Sequence, residues 1–161
     1  MVELLIGIGS NLEPESALRV AVAALKQRFN RVVCSSVYRG PAVGAAAADY
    51  LNMVVQVATD VEVASLRADL TAIETATGRT RADQRFCRLD LDLLAYGERV
   101  DAAGRLPRPG LYALPFVLVP LAEIAPGFVH PLTGQRCLAA LTAARHPPDL
   151  RMLGALATIG A

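Results

Sequence analysis

The chain has 161 residues, 53% of them hydrophobic and 19% charged, which fits one compact domain with a sizeable core and excludes a disordered segment. Its formal net charge is +1 and no apolar run reaches the roughly 20 residues that span a bilayer, so neither nucleic-acid nor membrane binding is expected. The start, Met1-Val2-Glu3, lacks the basic region and cleavage site of a secretory signal, and a cytoplasmic location is expected.

Residues 3–8 read as a buried strand, and Gly9-Ser10-Asn11 as the turn that follows it. Pro14 suits the first turn of a helix whose apolar stripe is Leu18, Val22, Leu25 and Phe29. Residues 32–38 form a second strand, and a breaker-rich loop follows from Arg39 through Gly40, Pro41 and Val43 to Gly44. A third strand spans residues 50–59. Val63, Leu66, Leu70, Ile73 and Thr77 mark a second helix, which Gly78 ends. Arg79, Arg81, Arg85 and Arg88 crowd the next loop, which leads into a strand at Leu89-Asp90-Leu91-Asp92-Leu93-Leu94. Residues 111–124 form a third helix that Pro115 either kinks or starts. Beyond Pro147-Pro148 the pattern assigns nothing. The order strand, helix, strand, strand, helix, strand is a split βαβ arrangement. The expected class is therefore α+β: a ferredoxin-like antiparallel sheet with helices on one or both faces and C-terminal additions, in a single domain over residues 1–161.

The strand with two acids is the most informative stretch. Side chains two apart on a strand point the same way, so Asp90 and Asp92 share one face while Leu89, Leu91 and Leu93 share the other. Adjacent carboxylates repel, and a divalent cation is the usual offset; salt bridges to the nearby arginines are the plainer alternative. Arginine forks match phosphate oxygens, so acids for a metal beside arginines for anions suggest a polyphosphate substrate. Tyr50 and Asn52 also share a face: an aromatic surface and an amide that donates and accepts can pack in a core or hold a flat heterocycle. Phe116 reads as core by itself. Gly7-Ile8-Gly9-Ser10-Asn11-Leu12 imitates a dinucleotide fingerprint, but Leu12 occupies the third glycine position, and a turn closed by Ser10 or Asn11 is favoured. The only lysine, Lys26, lies between Leu25 and Gln27, which removes a Walker phosphate loop. Cys34, Cys87 and Cys137 fit neither a disulfide framework nor a zinc pattern, and His130 and His146 are too widely spaced for a structural metal.

Taken together, these residues resemble the 6-hydroxymethyl-7,8-dihydropterin pyrophosphokinase family of folate biosynthesis. The resemblance rests on Gly9-Ser10-Asn11-Leu12, Tyr38-Arg39 with Pro41 and Gly44, Asp49-Tyr50-Leu51-Asn52, Ile73-Glu74, Gly78-Arg79, Leu89-Asp90-Leu91-Asp92, and Phe116-Val117-Leu118-Val119-Pro120-Leu121 with Glu123-Ile124-Ala125-Pro126. It implies transfer of pyrophosphate from ATP to the hydroxymethyl group of the pterin, releasing AMP. By likeness, Asp90 and Asp92 would hold two Mg2+ ions, with Asp90, Asp92, Arg79 and Arg88 as the catalytic set. Tyr50 and Phe116 would sandwich the pterin, Asn52 would bond its edge, and backbone around Gly40, Pro41 and Val43 would complete the pocket. Glu74, Arg79, Arg81, Arg85 and Arg108 would face the nucleotide. The implied partners are ATP and hydroxymethyldihydropterin, bound by a monomer. Three departures stand out. Cys87 sits where the family has an arginine, which Arg85 or Arg88 would replace unless Arg88 pairs with the acids on its own strand. Arg108 stands in place of a nucleotide-contacting histidine, and Leu114-Pro115 precede Phe116 in place of an arginine and a small residue. The alternative is a paralogue that binds a pterin with weak or no transfer. A nucleic-acid module on the same fold lacks the basic face and exposed aromatics it would need.

Overall fold

The computed structural model describes residues 1–43, 47–78, 85–144 and 149–159. Five strands lie in the order β5-β1-β4-β3-β6: β5 (Asp90–Tyr96), β1 (Val2–Ser10), β4 (Tyr50–Thr59), β3 (Val37–Gly40) and β6 (Arg151–Gly154). A short β2 (Val32–Cys34) also pairs with β4, and every pairing is antiparallel. This is the α+β class expected from the element order.

The sheet separates two apolar cores, because alternate residues of each strand face opposite ways. Leu4, Ile6 and Ile8 of β1, Leu51, Met53, Val55 and Val57 of β4, and Leu91 and Leu93 of β5 face the first core together with Leu89. Helix α1 (Pro14–Arg28) covers it with Leu18, Val22 and Leu25, and α2 (Val63–Ala76) with Val63, Leu66 and Leu70. Gly78 sits at φ +85, the left-handed conformation that lets the chain leave α2. Each such buried leucine contributes about 1.5–3 kcal/mol, so this side holds the fold together. On the opposite face Leu5, Val54, Leu94 and Ala95 meet α3 (Pro115–Ile124) and α4 (Cys137–Ala143). A register shift between Leu5 and Ile6 turns both Leu94 and Ala95 toward this second core.

Four sequence expectations change. The first strand runs on to Ser10, so Gly9 belongs to the strand and the turn begins at Asn11. The expected second strand is two, because Ser35 and Ser36 interrupt it. Ser35 Oγ accepts from the Val54 N–H at 3.0 Å, while the Ser36 N–H and Oγ–H donate to the Glu123 carboxylate at 2.9–3.0 Å. The third helix starts at Pro115, whose missing N–H costs nothing at a first position; residues 111–113 form turns. The stretch after the third helix, where the sequence assigns no element, supplies α4, and the tail beyond Pro148 supplies β6 and a 3-10 turn (Leu156–Thr158). Among the described residues no helix is long and apolar enough to cross a membrane.

Candidate active site

Between β1, β4, β5 and α3 lies a cavity of about 200 Å3. Its floor is made by omission. Gly7 and Gly9 fall on the same face of β1 as Leu5 and carry no side chain; Gly7 pairs across to Val54 and Asp92, and Gly9 to Asn52 and Asp90. A bare central strand between two strands with side chains leaves a trough one strand wide, about 10 Å between its neighbours. The sequence reading noticed these glycines only as a failed fingerprint. The missed signal is their spacing of two, in phase with Tyr50/Asn52 and with Asp90/Asp92.

One wall is aromatic and amide. Tyr50 and Asn52 stand on β4, and Phe116 reaches in from the first turn of α3, with Pro41 and Val43 from the loop after β3 completing that end. Gly40 pairs with Tyr50 across the β3–β4 ladder and does not itself line the cavity. Asn52 is only 8% exposed, yet among the described residues its side-chain amide makes no hydrogen bond. Among the described residues no fully buried side-chain polar atom lacks a partner, so the Asn52 amide, unbonded by them, is open to whatever fills the cavity.

Helix α3 is held in place by Glu123. Its carboxylate accepts from the Tyr38 hydroxyl at 3.0 Å and from Ser36, which ties α3 to β3 and so fixes Phe116 relative to Tyr50. Burial, and then the bond to Glu123 and its charge, push the Tyr38 hydroxyl up to about 12. Inside the helix Pro120 lacks the N–H that would bond the Phe116 carbonyl.

The opposite wall is charged. Asp90 and Asp92 both line the cavity from β5. Arg108 lies with them: its Nε donates to Asp92 Oδ2 at 2.7 Å, and its backbone N–H bonds the Leu94 carbonyl of the same strand. Glu74 stands apart from the cavity, buried on α2, where Oε1 accepts the Leu91 N–H at 2.7 Å and so supports the strand that carries both acids. Arg88 turns to Glu13, 2.6 Å away, rather than to the acids of its own strand. Arg85 is exposed and lies over the Phe86 ring at 5.7 Å. Arg79 and Arg81, with Gly44, fall outside the described residues.

The end of the arginine segment is tied to the end of β1. Asn11, 7% exposed, donates to the carbonyls of Arg85 (2.8 Å) and Ala48 (3.4 Å), and its Oδ1 accepts the Cys87 N–H at 2.6 Å. The Cys87 carbonyl accepts from the backbone of Asn11 and Leu12 and from Ser10 Oγ. The expected turn role of Ser10 and Asn11 thus extends across 77 residues of sequence.

The donor set suits a hard cation that keeps most of its water. Two carboxylates share one face, and among the described residues no third His, Cys, Asp or Glu joins them. That is too few for a structural zinc or calcium cage; a pair of carboxylates could hold a cation only with further ligands from water or a bound molecule.

Comparison with known proteins bears on the family and the fold. A family model described as 7,8-dihydro-6-hydroxymethylpterin-pyrophosphokinase (HPPK) matches residues 5–126. A 2-amino-4-hydroxy-6-hydroxymethyldihydropteridine pyrophosphokinase of Synechocystis sp. is 41% identical over 136 residues, covering 81% of this chain and 70% of that protein. Its namesake from Haemophilus influenzae is 36% identical over 138 residues, covering 81% and 86%. Among solved structures, a Plasmodium falciparum HPPK-DHPS crystallised with pteroate superposes with a TM-score of 0.73 at 8% identity, over 94% of this chain. This chain spans 47% of that larger one, and at such low identity the likeness concerns the fold alone.

Proposed function

The chain belongs to the 7,8-dihydro-6-hydroxymethylpterin-pyrophosphokinase family, and from that premise we propose that it transfers pyrophosphate from ATP to 6-hydroxymethyl-7,8-dihydropterin, giving the pterin diphosphate and AMP. The observation that carries the reading is the Asn52 amide, 8% exposed, without a hydrogen-bond partner among the described residues, and opening into a cavity lined by Tyr50 and Phe116. An amide that both donates and accepts, set between aromatic side chains, matches the edge and faces of a pterin. The acids on the far side of the glycine floor fit the other substrate's phosphates.

In this reading Tyr50 and Phe116 stack the ring, and Asn52 fixes its rotation, which aims the hydroxymethyl group across the floor toward Asp90 and Asp92. The hydroxyl oxygen attacks the β-phosphorus. The bond from that phosphorus to the oxygen bridging to the α-phosphate breaks, AMP leaves with the bond's electrons, and the hydroxyl proton is lost. Two Mg2+ ions held by Asp90 and Asp92 would neutralise charge on the phosphate chain. The chain's own part is positioning: holding nucleophile and phosphorus together replaces a bimolecular encounter. Arg79, Arg81, Arg85, Arg88 and Arg108 are the candidate phosphate contacts, and Glu74 acts through the strand it supports.

A second reading has one observation behind it. Arg108 already neutralises Asp92, and a chain in which that pair never opened would bind a pterin without transfer. The test is to incubate the protein with ATP, Mg2+ and hydroxymethyldihydropterin and to follow AMP. Pterin-dependent AMP is the expected result; ADP would indicate a different transfer, and pterin binding without AMP would favour the second reading.

A further inference from the structure

The acid pair needs a counter-charge, and the structure supplies one from within the chain. Arg108 sits on the segment that returns along the outer edge of β5, its backbone fixed to the Leu94 carbonyl two residues from Asp92. From there its Nε reaches Asp92 Oδ2 at 2.7 Å inside the cavity. Its Nη1 donates to the neighbouring Pro109 carbonyl, at 3.3 Å. The guanidinium is always charged, so it cannot step aside by losing a proton. Both side chains keep some water, 28% exposed for Arg108 and 41% for Asp92, so the pair is accessible to a competitor.

We propose that Arg108 is a resident counter-ion for Asp92, which a metal–nucleotide complex displaces but a free divalent cation displaces poorly. The inference rests on the metal-dependent transfer proposed above. A bare cation arriving at Asp92 meets an acid already neutralised, and it must expel a guanidinium that then has no anion. A cation arriving with a polyphosphate brings the replacement anion with it, and a guanidinium fork matches phosphate oxygens at least as well as it matches a carboxylate. Arg108 thereby couples the two arrivals: metal affinity is low until nucleotide is present. The pair also reduces the charge that Asp92 presents to Asp90. As a positioning residue, Arg108 would set the order of binding and not only its strength.

The experiment titrates Mn2+ by electron paramagnetic resonance, at fixed ionic strength, into wild type, Arg108→Gln and Arg108→Ala, with and without a non-hydrolysable ATP analogue. Without nucleotide, both variants should bind Mn2+ about two- to fivefold more tightly than wild type, as removal of a partly exposed competing pair implies. With the analogue present the advantage should disappear or reverse. Asp92→Asn should abolish the difference between the Arg108 forms. Near-ultraviolet circular dichroism of each variant establishes that it is folded, and the glutamine variant preserves side-chain length if alanine does not fold. Equal Mn2+ affinity for wild type and variants without nucleotide overturns the counter-ion role while leaving the transfer reading intact. Mn2+ binding by none of them, even with the analogue, overturns the metal reading and this inference with it.

Discussion

Gly9→Ala is the most demanding check on the cavity, because the glycine is there for space and not for a special backbone angle. A Cβ at position 9 would lie 2.9 Å from Asn52 Oδ1 and 3.7 Å from Tyr50 Cδ1. The first contact is too close, so the Asn52 amide must rotate; the second is an ordinary one. Position 9 is extended strand, where alanine is at ease and lowers the entropy of the unfolded chain, worth about 0.4–1 kcal/mol in favour of the variant. Displacing one amide that has no protein partner costs a similar amount, so stability should stay within about 1 kcal/mol of wild type. For a domain of this size that is a shift of about 2–4 °C in melting temperature. Pterin affinity should respond differently. Losing one or two hydrogen bonds from a bound ring, at about 0.5–1.5 kcal/mol each, weakens binding about two- to 150-fold. Calorimetric titration with the pterin, alongside thermal unfolding, measures both quantities on one sample. Wild-type affinity in Gly9→Ala would refute Asn52 as the ring's edge partner. Loss of more than about 4 kcal/mol of stability would refute the claim that the gap above Gly9 is kept for a ligand.

Three further outcomes are expected. Asp92→Ala should keep pterin affinity within about twofold and remove AMP formation, since in the proposed reading the acid lies across the glycine floor from Tyr50 and Asn52; full activity would contradict its proposed metal role. Asn11→Ala unpairs the Cys87 N–H and the Arg85 carbonyl, which should cost about 1–3 kcal/mol in urea denaturation and reduce AMP formation more than pterin affinity; an unchanged midpoint would show that the tie is dispensable. Tyr38 titrates at about 12 in the folded chain, first because it is buried and then because of Glu123, against about 10 when unfolded. The native state therefore holds that proton more tightly, and its contribution to stability is complete below pH 10 and is lost as pH rises toward 12. Denaturation from pH 9 to 12 should show wild type losing its advantage over Tyr38→Phe, and a constant difference would disprove the link.

What could be read from sequence depended on how local its cause was. The third strand, expected at residues 50–59, is β4 (Tyr50–Thr59), because a mostly apolar run, broken only at Asn52 and Gln56 before its terminal Thr59, is largely buried on both faces. The split of Asp90 and Asp92 from Leu89, Leu91 and Leu93 follows from the period of a strand and needs no partner. The break at Ser35–Ser36 was invisible because its cause, Glu123, lies 87 residues away from Ser36. Arg88 was placed correctly on the chain but its partner, Glu13, is 75 residues distant. Arg108 was noticed as a departure in a nucleotide position, yet its hold on Asp92 depends on how the segment after β5 folds back along that strand. The edge strand β6 escaped because it is four residues long and largely exposed, so no hydrophobic period announces it.

The two rings that flank the cavity rest on unequal supports. Tyr50 opens a strand bonded on both sides, whereas Phe116 rides on a helical turn whose carbonyl finds no donor at Pro120. The anchor that compensates sits at the other end of the same helix, where Glu123 grips Ser36 and Tyr38. Seven residues, about two helical turns, separate that anchor from the ring. The gap between the two rings is thus set from a distance, and a change at Glu123 would be felt at Phe116 without touching the cavity.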